Sequence, residues 1–99
     1  MRDQHDDAHA RRALENIPNV GPATAGDLLR LGIREPAQLG DCDPDELYER
    51  LCRLDGRRHD PCVRDVFAAA VWHARGGGRR PWWDFSRERK AAGGPRRTR

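Results

Sequence analysis

No stretch of this 99-residue chain approaches the roughly 20 consecutive apolar residues that a membrane-crossing helix needs. Its opening, MRDQHDDAHA, lacks the basic start and apolar core of a secretory signal, so a soluble, cytoplasmic protein is expected. Aromatic residues are scarce at 6%, and hydrophobic residues reach only 36% against 35% charged. Such a composition covers a few helical stripes in one small domain but does not enclose the deep cleft of most enzymes, which argues against catalysis. No segment alternates with period two over the length of a strand, which leaves the helix as the element to look for. Cysteine is limited to Cys42, Cys52 and Cys62, an odd number without a tight pairing motif. Free thiols in a reducing compartment are expected rather than a disulfide framework. Lysine is nearly absent: among 19 basic residues only Lys90 is one. A GC-rich coding bias accounts for this, with selection for bidentate phosphate contacts by arginine as the alternative.

The charge that is present is unevenly divided. Residues 1–74 hold ten arginines against fourteen Asp and Glu, a balance of −4, and residues 75–99 hold nine basic residues against Asp84 and Glu88, a balance of +7. A mildly acidic body with a basic end suits contact with phosphates or another acidic surface, although a basic terminus is often only solvated chain. The expected organisation is a flexible acidic start over 1–8, a helical domain over 9–90 and a disordered basic tail over 91–99.

Helical periodicity runs through the middle. Ala10, Ala13, Leu14 and Ile17 fall on one face of a helix that must end before Pro18. A second helix opens near Pro22, carries Ala25, Leu28 and Leu29, and stops at Gly32. A short helical turn is predicted around Pro36–Leu39. Asp43-Pro44 and Asp60-Pro61 each read as an N-cap followed by a first-turn proline. The helix after the first pair shows Leu47, Leu51 and Leu54 as a stripe widened by Tyr48 and Cys52. The helix after the second shows Val63, Val66, Phe67, Ala70, Val71 and Ala74 on one face. Gly76, Gly77 and Gly78 terminate it, and Ser86 is placed to cap a last short helix. The fold class is therefore all-α, a compact domain of four or five helices.

The stretch IPNVGPATA, between the first two helices, is the candidate site. Ile17 and Val20 can point inward, while Asn19 and Gly21 supply positions that tolerate positive φ. The next helix starts at Pro22 with its first amides unpaired at the positive end of the helix dipole, a place for a phosphate oxygen that needs no charged side chain. This stretch resembles the helix-hairpin-helix motif, whose pattern is apolar, any residue, Gly, apolar, Gly, three variable residues, Ala. Ile17, Val20, Gly21 and Ala25 match it; Asn19 stands for the first glycine, and Ala23 stands where DNA-binding members often carry lysine. The resemblance implies a SAM-like helical fold and sequence-nonspecific binding of the DNA backbone through the hairpin residues Asn19, Val20, Gly21, Pro22, Ala23 and Thr24. Packing or protein docking by the hairpin is the alternative. Residues 51–67 read as a degenerate second hairpin bearing Arg57, Arg58 and His59, with a solvated linker as the competing account. Together, IPNVGPATAGDLLRLGI, LYERLCRLDGRRHDPCVRDVFAAAVWHA and PWWDFSRERK make the chain, over about residues 9–90, resemble the bacterial pathogenicity-locus or mitomycin-resistance-like family. Such family names record a genomic neighbourhood or a phenotype, not a reaction.

Three further groups bear on chemistry. Cys52, His59 and Cys62 have the residue types of a zinc site, but their C-x6-H-x2-C spacing is no recognised zinc pattern, so no metal and no cofactor are expected. Cys62 lies just inside a helix N-terminus near His59, Arg57 and Arg58, an arrangement that would favour thiolate and a reactive thiol, yet no base or oxyanion partner accompanies it. Trp82, Trp83 and Phe85 beside Arg79 and Arg80 have the composition of a base-stacking platform, and equally that of an aromatic lid on a small core. The preferred function is a DNA-binding or DNA-repair accessory module using the hairpin amides with Arg57, Arg58, Arg79 and Arg80. A helical protein-interaction adaptor is the first alternative and a thiol- or metal-dependent detoxifying activity the second.

Overall fold

The structure, a computed structural model, describes residues 4–92. Five α-helices follow one another: α1 (Gln4–Glu15), α2 (Pro22–Arg30), α3 (Pro44–Asp55), α4 (Pro61–Ala74) and α5 (Trp82–Ala91). A 3-10 helix at Pro36–Asp41 lies between α2 and α3, and no strand occurs among the described residues. The all-α expectation holds. The tail GGPRRTR lies outside the described residues.

Local chemistry sets most boundaries. Pro22, Pro44 and Pro61 each occupy the first helical turn, where a missing N–H costs nothing. The Asp43 and Asp60 carboxylates accept from the N–H groups of Asp45 and Cys62 at 2.9 and 2.8 Å, as their sequence positions predict. Gly56 closes α3 in the left-handed region at φ 66, with the Arg57 N–H donating back to the Cys52 carbonyl at 3.1 Å. The α1 helix begins at Gln4, within the segment expected to be flexible. The Asp7 carboxylate at its start accepts from Arg34 Nη1 at 2.9 Å, anchoring that turn to the chain before the 3-10 helix.

The core lies where α4 meets everything else. Phe67, Ala70 and Val71 pack with Leu14, Leu28, Leu39, Leu47 and Leu51 on one side, while Ala68 and Ala69 face Phe85 and Trp82 of α5 on the other. Serving two partners makes the buried surface of α4 broader than the single predicted face: Ala68 and Ala69 are buried, and Val66 is only half-buried. Leu54 departs from the predicted stripe of α3 and is 53% exposed. The buried residues Leu47, Tyr48, Leu51 and Cys52 centre the stripe so that Leu54 falls about 90° away, whereas Asp55 falls near its middle. Asp55 accordingly turns inward to Arg30 and to the His59 ring, whose Nε2 lies 2.7 Å away.

Ser86 does not cap α5; it lies inside that helix, buried, and donates its hydroxyl to Asp65 at 2.6 Å. Asp65 is fully buried on α4 and also receives Arg89 Nε and Nη2 at 3.0 and 2.9 Å. This charged clasp fixes α5 against α4 where the apolar contact is small.

Candidate nucleic-acid interface

Between α1 and α2 the chain turns tightly. The Val20 N–H donates to the Ile17 carbonyl at 3.1 Å, and both side chains are buried, which pins the turn to the core. Asn19 takes φ 75, the left-handed conformation expected at this position, and asparagine tolerates it. Gly21 does not: it is extended at φ −94, ψ −174, and nothing lies within 4 Å of where a Cβ would stand. Its role is open space rather than a special dihedral. Helical bonding starts with the Ala25 N–H to the Gly21 carbonyl at 2.9 Å. Pro22 has no N–H and the Val20 amide is taken, so the expected run of donors from Val20 to Thr24 reduces to Gly21, Ala23 and Thr24. These three N–H groups have no partner among the described residues. Gly21, Pro22 and Ala23 are exposed.

Arg11, which the sequence left unassigned, and Asn19 frame this turn. Arg11 of α1 donates Nη1 to the Pro22 carbonyl at 2.9 Å, and a Cβ at Gly26 would meet the same guanidinium at 3.2 Å. The bare surface of Gly26 lets Arg11 lie against α2, so a cation stands beside Ala23, where no lysine is present. An open cleft of about 490 Å³ runs from here between α1 and α2, and its rim is electrically mixed, with Asp7 and Asp27 beside Arg11 and Arg30. On the other flank, Asn19 Nδ2 donates to the Arg80 carbonyl at 2.9 Å while its Oδ1 faces the Trp82 N–H at 3.4 Å. One side chain thus joins the hairpin to the start of α5. The separation of 61 residues hides that contact from any local reading of the sequence.

The four arginines proposed alongside the hairpin do not form one cluster. Arg57 and Arg58 precede α4 and Arg79 and Arg80 follow it, and the 14 residues of that helix span about 21 Å. Arg58 grips Glu49 through two bonds at 2.8 and 3.0 Å and lies over the Tyr48 ring. Its pairing holds the Glu49 carboxyl below the usual range. Arg80 is held by Glu88 and Asp84 and stacks over Phe85 and Trp72 at 4.3 and 5.0 Å. Both are committed to the fold by charge pairing and cation–π contact. Arg57 and Arg79 are exposed and have no side-chain partner among the described residues. The segment between α3 and α4, expected as a second hairpin, is held differently: the Tyr48 hydroxyl donates to the His59 carbonyl and the His59 N–H approaches Cys52 Sγ at 3.4 Å.

That arrangement uses Cys52 and His59 for folding, and no group of metal-ligating side chains converges among the described residues. The Cys62 thiol is pushed up, first by burial and then by its hydrogen bond and proximity to Asp60. Sequence position suggested the opposite. The positive end of α4 is already answered by the Asp60 carboxylate, Arg58 has turned to Glu49, and Arg89 has turned to Asp65. Phe85 is buried and Trp82 half-buried against Ala68 and Ala69, a lid on the second core cluster, whereas Trp83 is 52% exposed.

No solved structure matches the chain significantly. A mitomycin resistance protein, McrB from Streptomyces lavendulae, is 48% identical over 77 residues, which cover 78% of this chain and 73% of that protein. Residues 7–91 match the family described as pathogenicity locus, Cdd1. With both the bulk of the chain and a close relative agreeing, the chain belongs to the pathogenicity-locus family.

Proposed function

We propose that this protein is a resistance-related DNA-binding accessory module that holds the phosphate backbone without reading sequence and without catalysing a reaction. The observation that carries the reading is the exposed hairpin. Three unpaired amides at Gly21, Ala23 and Thr24 open α2, with free space above Gly21 and Arg11 alongside. Its helix-hairpin-helix character belongs to this reading. Arg57 and Arg79, whose guanidinium groups are uncommitted, add phosphate contacts at the two ends of α4. The name of the relative from Streptomyces lavendulae supports a role in resistance.

Affinity for duplex DNA is expected to be roughly micromolar and indifferent to base sequence, because it rests on amides and a few guanidinium groups. Titration of labelled duplex at low salt tests it. Gly21→Val should keep the fold, because the φ of −94 suits any residue, and should weaken binding by filling the approach to the amides. A folded Gly21→Val protein with unchanged affinity, or no binding by the wild type, would instead favour the helical protein adaptor. The commitment of Arg58 and Arg80 to internal partners and the exposure of Leu54 favour that second reading. The thiol-dependent reading has the raised Cys62 against it.

A further inference from the structure

The α5 helix has two faces of different chemistry. Trp82, Phe85, Ser86 and Arg89, spaced i, i+3, i+4 and i+7, turn toward α4; Phe85 and Ser86 are each 7% exposed. A neighbouring stripe, about 115° round the helix, is Trp83, Arg87 and Lys90, spaced i, i+4 and i+7. Trp83 is 52% exposed, the Arg87 side chain is 71% exposed and Lys90 is exposed. Among the described residues the ring contact of Trp83 is edge-on to Trp82, with centroids 5.9 Å apart. The carboxylates nearby are already matched: Asp84 bonds Arg87 and Arg80, and Glu88 bonds Arg80. An exposed aromatic ring sharing its stripe with the cation Lys90, and with Arg87 paired to Asp84 beside it, is complementary to an anionic polymer that carries flat rings.

The position of this stripe relative to the hairpin decides which polymer it fits. Asn19 holds the Arg80 carbonyl and faces the Trp82 N–H, so the residue next to Trp83 is fastened to the turn that presents Gly21, Ala23 and Thr24. The start of α5 is therefore a neighbour of the hairpin, within reach of a strand whose phosphate sits on the hairpin amides. A base paired in a duplex is not free to turn onto that ring; an unpaired one is. We infer that Trp83 is a stacking platform for an unpaired base at a duplex junction, flap or gap, with Lys90 on an adjoining phosphate. The inference rests on the hairpin reading above and names the nucleic-acid form that reading leaves open.

The test compares a labelled blunt duplex with the same duplex carrying a single-stranded flap, at one low salt concentration. One stacked base should make the wild type prefer the flapped DNA by about 5- to 150-fold. Trp83→Ala should abolish that preference while leaving affinity for the blunt duplex unchanged, and Trp83→Phe should keep most of it. Circular dichroism checks the folding of both variants, and the wild-type comparison of the two DNAs stands independently of any variant. Equal binding of both DNAs by the wild type, or a preference that survives in Trp83→Ala, overturns the platform. The hairpin reading is then judged separately by whether Gly21→Val weakens binding to the blunt duplex. If the wild type binds neither DNA, both readings fall together.

Discussion

Asp65 illustrates how a single carboxylate is made compatible with a small core. Its side chain is fully buried, yet Ser86 and the Arg89 fork occupy its oxygens, with Arg64 Nη1 at 3.3 Å. The Arg89 side chain is itself only 9% exposed. Removing one member of a buried pair strands the other, which costs about 3–5 kcal/mol, far more than loss of an exposed pair. Asp65→Ala should therefore destabilise the protein by that amount in urea unfolding, and Asp27→Ala, whose carboxylate lies 3.4 Å from an exposed Arg30, by less than about 1 kcal/mol. Equal small effects would mean that the clasp is not built as described. Cys62 is the second residue whose surroundings reverse its expected chemistry. With burial and Asp60 raising the thiol, its alkylation at pH 7 should be slower than that of a free cysteine, measured by thiol-titration rate. A faster rate would restore the detoxifying reading.

At the scale of elements, the junction of α3 and α4 depends on ionised carboxylates. Asp55 is held below the usual range by Arg30 and then by His59, Glu49 by Arg58, and Asp60 by the Cys62 N–H. Groups with a depressed folded value stabilise the native state at neutral pH, and that stability is lost as pH falls through the depressed values, below about pH 4. Thermal midpoints should accordingly hold steady from pH 7 to about 5 and fall below about 4; Asp55→Asn should lower the midpoint at pH 7 and flatten the acid limb. A midpoint that does not change on acidification would show that these pairs add nothing to stability. The same junction explains what was legible in the sequence. Caps at Asp43 and Asp60, first-turn prolines and the glycine stops are local devices, and each could be read from a few adjacent residues. The inward turn of Asp55, the place of Ser86 inside α5 and the Asn19 bridge to Arg80 pair residues far apart in the chain or override a local propensity. Periodicity carries no signal for such contacts, so the hairpin and Asn19 were visible while the place of Arg11 and the bond from Asn19 to Arg80 were not.

For the whole molecule, the abundance of arginine is a poor guide to the charge available for a partner. Arg50 donates to the Leu31 carbonyl, Arg75 to the carbonyls of Gly40 and Cys42, and Arg64 to Asp45, so these guanidinium groups join helix ends to neighbouring turns. Each forms bonds at 2.8–2.9 Å that a phosphate would have to displace. Arg57 and Arg79 are free of such work, and Arg11 spends one bond on Pro22. Counterion release turns this division into a measurable quantity, because each cation that contacts a phosphate adds about 0.9 to the slope of log K against log salt. Replacing Arg11, Arg57 and Arg79 together by alanine should therefore flatten the slope by nearly 3 while leaving most of the thermal stability intact. Replacing Arg50, Arg64 and Arg75 should do the reverse, lowering the thermal midpoint while the slope of the remaining folded protein stays unchanged. If the second set flattens the slope as much as the first, the internal guanidinium groups leave their carbonyls to bind DNA, and the arginine content of the chain, not the hairpin, governs its affinity.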